Sequence, residues 1–261
     1  MPNHITNILG VSGPVKDLNK FRKQISSENK KLVEYHQTVT QKQIDKLLAK
    51  QAADPIAFAN SWEAHTLDGL KRALRSPKSF VLDFEGTVPM PEELHGTSCP
   101  GHTPEEKLLQ AGYAKKYGAG NWYDWNWGTK WNAYSIEDVA ETGDGLRYQF
   151  QTAWSLPGAW LRATAAQFPT LTFVDAFSDE GGGSGRLTID PESGISEEEL
   201  TDHEWKMEYN ESYREAYDLI VSGDYDEVVK EYSEQDEIDD WDLIDPLLAR
   251  LQDKDLPLFS P

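Results

Sequence analysis

Two stretches of alternating apolar residues, with a helical pattern between them, predict an α+β protein. Leu146, Tyr148, Phe150, Thr152 and Trp154 recur at every second position, the period of a half-buried strand. Leu171, Phe173 and Phe177 mark another strand. Between them Leu156-Pro157 opens a helix whose Trp160, Leu161, Ala165 and Phe168 face inward until Pro169 stops it. A matching half comes first in the chain. His4 to Val11 reads as a strand ended by Ser12-Gly13-Pro14, and Val15, Leu18, Phe21 and Ile25 recur at helical spacing over about 15–26. Phe80, Leu82 and Phe84 alternate as the next strand. With insertions set aside the order is strand, helix, strand, strand, helix, strand. That is the ferredoxin-like split βαβ arrangement, an antiparallel sheet with two helices on one face.

The rest of the chain is read as additions to that body. Over 27–76, Thr40 with Gln43 makes a capping box before Ile44, Leu47 and Leu48. Asp54-Pro55 then caps a longer helix bearing Ala59, Trp62, Leu67, Leu70 and Leu74, so this segment is a helical insertion. Pro89 and Pro91 end any pairing after Phe84. Thr103-Pro104-Glu105-Glu106 starts a helix that carries Leu108, Leu109, Tyr113 and Tyr117 and ends near Gly118. Gly181 to Gly185 is a turn, and Arg186 to Ile189 a closing strand. Pro191 to Ile195 is the expected boundary between a body, 1–190, and a helical module, 191–261. In the module Ser196-Glu197-Glu198-Glu199 reads as a capping box opening a helix with Trp205, Tyr209, Tyr213 and Ile220. Ser222-Gly223-Asp224 breaks it. Further helices carry Tyr225, Val228, Val229 and Tyr232, and then Leu247, Leu248 and Leu251.

Charge separates the two parts sharply. The chain of 261 residues has a net charge of −20. Residues 191–261 hold 23 acidic against 5 basic side chains, whereas residues 1–190 hold 22 against 20. Within the body, residues 15–78 carry 13 basic against 7 acidic groups, so the insertion is basic. An acidic module repels nucleic acid but is drawn to a basic cleft, and carboxylates on a folded scaffold can imitate the phosphate spacing of duplex DNA, about one charge per ~1.7 Å. The single cysteine, Cys99, excludes an internal disulfide. The start Met-Pro-Asn-His-Ile-Thr lacks a signal-peptide pattern, and no apolar run approaches a membrane span. These features place the protein in the cytoplasm, away from the membrane.

Four segments carry a resemblance to a known family. Met-Pro-Asn-His-Ile-Thr-Asn at the start, Val-Pro-Met-Pro-Glu-Glu-Leu at 88–94, the tryptophan-rich run at 121–133, and Phe-Gln-Thr-Ala-Trp-Ser-Leu-Pro at 150–157 are similar to the YubB ferredoxin-like family of bacteriophage and plasmid proteins. The resemblance covers most of 1–190. It implies a ferredoxin-like fold and a mobile-element origin, hence a bacterial host cell, and carries no activity with it. The basic insertion and the acidic module lie outside the pattern.

Four groups of residues are candidate sites. In the run Asn121 to Tyr134, Trp122, Trp125, Trp127 and Trp131 fit no single face of a helix or strand, so the segment reads as a shaped aromatic platform around Lys130 and Asn132. Asp124, Asn126 and Asn132 are expected to pin the rings. Such a platform stacks on bases or partner side chains, or simply locks a loop onto the sheet. His95, Cys99 and His102 are a weak metal set, since their spacing matches no standard zinc pair and a polar connecting loop explains them. Asp83 and Glu85, two apart on the expected strand, share a face where carboxylates are ordinarily solvated, although such pairs also serve acid–base or metal chemistry. Asp179-Glu180 before the glycine run is of the same kind. The acidic module presents Asp224, Asp226, Glu227, Glu231, Glu234, Asp236, Glu237, Asp239, Asp240 and Asp242. No phosphate loop, nucleophile elbow or zinc helix is present, and no cofactor is implied.

Together these features point to a non-enzymatic accessory protein of a phage or plasmid. Its acidic, DNA-mimicking module would occupy the basic cleft of a host defence protein of the anti-restriction or anti-CRISPR target class, without binding nucleic acid itself. An enzyme or nucleotide-binding protein using the sheet and the Trp-rich loop, and an oligomeric structural adaptor, are the other readings.

Overall fold

The structure, a computed structural model, describes residues 3–77, 79–95, 97, 104–117, 121–142 and 145–222. The elements run β1 (His4–Ser12), α1 (Val15–Gln24), α2 (Lys30–Ala53), α3 (Pro55–Ala59), α4 (Trp62–Arg75), α5 (Pro104–Tyr117), α6 (Trp122–Asn126), β2 (Tyr134–Thr142), β3 (Gly145–Ala153), α7 (Gly158–Ala165), β4 (Thr172–Asp179), β5 (Ser184–Asp190), β6 (Gly194–Leu200), α8 (Asp202–Tyr209) and α9 (Glu211–Ser222). The strands form one sheet in the order β2-β3-β1-β4-β5-β6. Its first four strands are antiparallel throughout, with β1 central between β3 and β4. Taken with α1 and α7, that order is the ferredoxin-like βαββαβ unit, and the fold class is as the periodicity predicts.

One face of the sheet carries the core. Leu9 and Val11 of β1, Leu146, Tyr148 and Phe150 of β3, and Phe173 of β4 pack against Leu18 and Phe21 of α1 and Trp160, Leu161 and Ala165 of α7. Phe21 meets Tyr148, Phe168 and Phe173 edge to face, at 6.2, 5.5 and 5.4 Å. Such rings dominate core energetics and prefer this geometry to face-to-face stacking.

The second strand of the unit is not where the alternation of Phe80, Leu82 and Phe84 places it. Residues 80–83 belong to no strand, and Phe84–Gly86 is a 3₁₀ turn. Leu82 and Phe84 are buried as a strand would bury them, but the backbone is satisfied by loop partners. The Phe80 carbonyl accepts from the Ser27 N–H, and the Phe84 N–H donates to the Asn132 side chain. Phe84 stacks on Trp160 with centroids 4.3 Å apart, and Gln24 and Gln167 bind the Gly86 and Thr87 carbonyls. The loop is thus part of the core. The true partner of β3 is β2, an edge strand with a register irregularity between Tyr134 and Asp138 and a positive φ of 46° at Ser135.

Three other expectations are corrected. Helix α2 runs unbroken through the Thr40 capping box and is capped instead by Asn29, whose side chain accepts from the Leu32 N–H. The helix expected from Asp54 is interrupted at Asn60-Ser61, giving α3 and α4. Ile44, Leu47, Phe58 and Leu67 bury one another in a small separate cluster. Residues 196–199, expected to open a helix, lie in β6. The capping box that forms is Thr201 with Glu204, which opens α8. Three glutamates in succession favour neither state strongly, and a hairpin from β5 decides for strand. Asp190 holds its turn by accepting from the Glu192 and Ser193 N–H groups.

By compactness the chain divides into two units, residues 1–181 with 186–198, and residues 182–185 with 199–261. In the second, α8 and α9 are joined by a hydrogen bond between His203 and Tyr213 and by Arg214, which donates to the Met207 and Glu208 carbonyls. The further helices expected after Gly223 lie outside the described residues. No described helix is long and apolar enough to cross a membrane.

Candidate functional site

The sequence places Tyr35-His36 in the second turn of α2 and Asp83-Phe84-Glu85 in a loop, and folding of the loop brings them together. Phe84 is drawn into the core, and the 3₁₀ turn that buries it is capped by Asp83, whose Oδ1 accepts from the Glu85 N–H at 2.8 Å. The two flanking carboxylates are therefore carried inward. Asp83 is 9% and Glu85 7% exposed, where the strand reading expects solvated groups. Asp83 Oδ1 also accepts from Asn132 Nδ2 at 2.8 Å, and Asp83 Oδ2 lies 2.8 Å from His36 Nε2. His95 Nε2 lies 3.3 Å from Glu85 Oε2 and 2.8 Å from the Tyr35 hydroxyl, which donates to the Met90 carbonyl. Glu85 Oε2 is buried and has no hydrogen-bond partner.

The electrostatics follow from this crowding. Burial would lower the His36 imidazole, but the hydrogen bond to Asp83 and the charges of Asp83 and Glu85 outweigh it and raise the pKa above the usual value. Burial, reinforced by Glu85, pushes the Tyr35 hydroxyl up to about 12, so it remains a donor at neutral pH. His36 and Asp83 also line an open cleft of about 570 Å³, with Thr40, Leu74, Leu82 and Asn132 among its other lining residues. Donors and acceptors at the mouth of a cavity of this size are the usual form of a ligand site.

The tryptophan run divides in two. Trp122 and Trp127 are 3% and 2% exposed and belong to the core, whereas Trp125 and Trp131 are 52% and 44% exposed. The Trp127 ring is held by a backbone carbonyl, not by one of the expected polar side chains. Trp127 Nε1 donates to the Val88 carbonyl at 2.9 Å, Asn126 closes the turn of α6 on the Trp122 carbonyl, and Asn121 caps that helix over Asp124. Asn132 serves the carboxylate cluster instead. Lys130 lies 5.5 Å from the centre of the Trp131 ring, which meets Tyr134 edge to face. The aromatic surface left to solvent here is Trp125 and Trp131.

His95 joins the carboxylate cluster, while Cys99 and His102 lie outside the described residues. So do all the acidic positions from Asp224 to Asp242. Asp179 is engaged locally, accepting from the Gly181 N–H and from Asn3 Nδ2. Sequence reasoning passed over Tyr35 and His36. Neither lies in a recognisable motif, and their partners are far along the chain.

A family model described as the ferredoxin-like domain in Api92-like protein matches residues 126–220. The matched segment contains β2 to β6, α7 and α8, and its description agrees with the observed strand order. A crystal structure of protein api92 from Yersinia pseudotuberculosis aligns with 77% of this chain and 98% of its own, at 12% identity and a TM-score of 0.37. No curated protein matches the chain.

Proposed function

We propose that the protein is a non-catalytic binding protein that carries an acidic C-terminal region to a partner with a basic, nucleic-acid-binding cleft. The partner class is a host defence protein, and the setting is a bacterial cytoplasm into which a phage or plasmid has brought the gene. Segregation of charge carries this reading: net −18 over residues 191–261 against net −2 over the preceding 190. The acidic character begins within ordered backbone. Glu197, Glu198 and Glu199 are all exposed on β6, and α8 and α9 continue it with Asp202, Glu204, Glu208, Glu211, Glu215 and Asp218. Carboxylates fixed on strand and helix hold a spacing, which a solvated tail does not. The competing plain role is protection, since charged side chains on an edge strand also block pairing with other chains.

Salt and substitution separate these roles. Exposed ion pairs are individually weak, but many acting together make affinity fall steeply with ionic strength. The full chain is used to capture partners from a bacterial lysate at low and high salt. Replacing Asp236, Glu237, Asp239, Asp240 and Asp242 by Asn or Gln is then expected to slow association with the captured partner more than it speeds dissociation, because steering acts on the encounter. Short duplex DNA is expected to compete for the partner surface and not to bind the protein alone. A partner held equally by the variant and at high salt sinks the proposal.

The cavity beside His36 and Asp83 favours a second reading, a small-molecule or nucleotide site using Asn132 of the Trp-rich loop. Its test is ligand-induced thermal stabilisation that is lost in Asn132→Ala.

A further inference from the structure

We propose that His36, Asp83 and Glu85 bind one divalent transition-metal ion, with His95 beside it and the remaining coordination position turned to the cavity. This goes beyond the acidic-surface reading and rests on different residues.

The geometry is that of a ligand set drawn from separate elements. One donor atom from each of the three residues lies within 4.8 Å of the others. A tetrahedral ion about 2.1 Å from each donor holds its ligand atoms about 3.4 Å apart, so closure needs the side chains to draw together by up to ~1.4 Å. Burial supplies the second observation. Two carboxylates at 7–9% exposure are costly unless compensated, and among the described residues the basic side chains facing them are the imidazoles of His36 and His95. Asp83 Oδ1 is saturated by Asn132 and the Glu85 N–H, which orients Oδ2 toward His36 as a single available donor. Glu85 Oε2 makes no well-aligned hydrogen bond, its near neighbour being His95 Nε2 at 3.3 Å. Buried acceptors are otherwise nearly always satisfied, and a cation supplies what this one lacks.

The supporting contacts are those a metal site uses. Asn132 fixes Asp83, and Tyr35, anchored on the Met90 carbonyl, fixes His95. One imidazole with two carboxylates is a borderline to hard set. It suits Zn²⁺ or Mn²⁺, disfavours Cu(I) for want of thiolate, and disfavours Mg²⁺ because of the imidazole. Three protein ligands with an open fourth position are the pattern of a reactive or ligand-accepting centre, in contrast to a closed structural one. His36 and Asp83 are shared between the cluster and the cavity wall, so an ion there would meet whatever enters.

The test uses the full chain, stripped with chelator and titrated with Zn²⁺ against a chromophoric competitor, with excess Mg²⁺ present to occupy the acidic C-terminal region. One tight Zn²⁺ per chain is expected, with a melting temperature that rises with free Zn²⁺. Glu85→Gln, nearly isosteric, is expected to weaken binding at least about 100-fold while keeping the metal-free near-ultraviolet circular dichroism of the parent. His36→Gln, at a partly buried position, gives the same readout should Glu85→Gln fail to fold. Cys99→Ser combined with His102→Ala is expected to bind as the parent does. Absence of stoichiometric binding overturns the proposal. So does parental affinity in both Glu85→Gln and His36→Gln, or loss of the tight ion in the Cys99/His102 variant.

Discussion

Asp175 is a buried acid in the middle of β4, and its titration should dominate the pH dependence of stability. It stands opposite Leu9 in the β1–β4 register, on the same face as Phe173, and is 0% exposed. Neither carboxyl oxygen has a hydrogen-bond partner. Burial therefore pushes its pKa from 3.8 to about 8. The sign follows from proton binding. Between about pH 4 and pH 8 the folded state holds a proton that the unfolded state has lost, so stability falls as pH rises. The contribution is complete below about pH 4 and gone above about pH 8. Each pH unit in that window is worth about 1.4 kcal/mol, so the whole interval is worth about 5–6 kcal/mol. That is comparable with the total stability of an ordinary domain. In Asp175→Asn the amide does not titrate, and this slope vanishes. Urea denaturation followed by tryptophan fluorescence at pH 4.5, 6, 7.5 and 9 measures both proteins. The expected result is a difference that moves in favour of the variant by about 4 kcal/mol between pH 4.5 and pH 7.5. Groups common to both proteins cancel in that difference. Parallel stability profiles would refute the assignment, whatever the variant's absolute stability.

Three further substitutions test the packing that positions the site. Trp127→Ala removes an indole that is 2% exposed and anchored on the Val88 carbonyl, and should cost about 3–5 kcal/mol. Trp131→Ala, at 44% exposure, should cost about 1 kcal/mol or less by chemical denaturation. Equal losses would show that the division of the tryptophan run into core and surface is wrong. Gly86→Ala should lower the melting temperature, with a loss of about 1–3 kcal/mol. An added Cβ would sit 2.4 Å from the Gln24 carbonyl oxygen and 2.8 Å from Ile25 Cα, backbone atoms that cannot swing aside. A melt unchanged from the parent would mean that the loop is not held against α1 as described.

The central and helix-covered strands were legible in the sequence because one face of each is dry. In β3 the alternation from Leu146 to Phe150 is the core face itself, and the same holds for Leu9 and Val11 in β1. Edge strands gave no such signal. β2 is broken by an irregular register and β6 is exposed along nearly its whole length, so neither carries a two-residue apolar period. Phe80-Leu82-Phe84 shows the converse failure. Alternate burial reports which side chains meet the core, not whether the backbone has a strand beside it.

The candidate site was half legible for the same reason. Asp83 and Glu85 stand out as a pair two residues apart, but their environment depends on Phe84 between them. If the segment were a strand, Phe84 would point inward and both acids outward to water. As a 3₁₀ turn, it buries all three. The partner His36 lies 47 residues from Asp83, and Tyr35 lies 60 from His95. These pairings are made by the packing of α2 against the loop, which no local spacing encodes. An acid between apolar neighbours occurs twice, as Asp83 between Leu82 and Phe84 and as Asp175 between Val174 and Ala176, and its burial becomes apparent only in the fold. Once buried, a carboxylate must either find a basic partner or keep its proton. Asp83 has found His36, and Asp175, with no partner, is the one that keeps its proton near neutral pH.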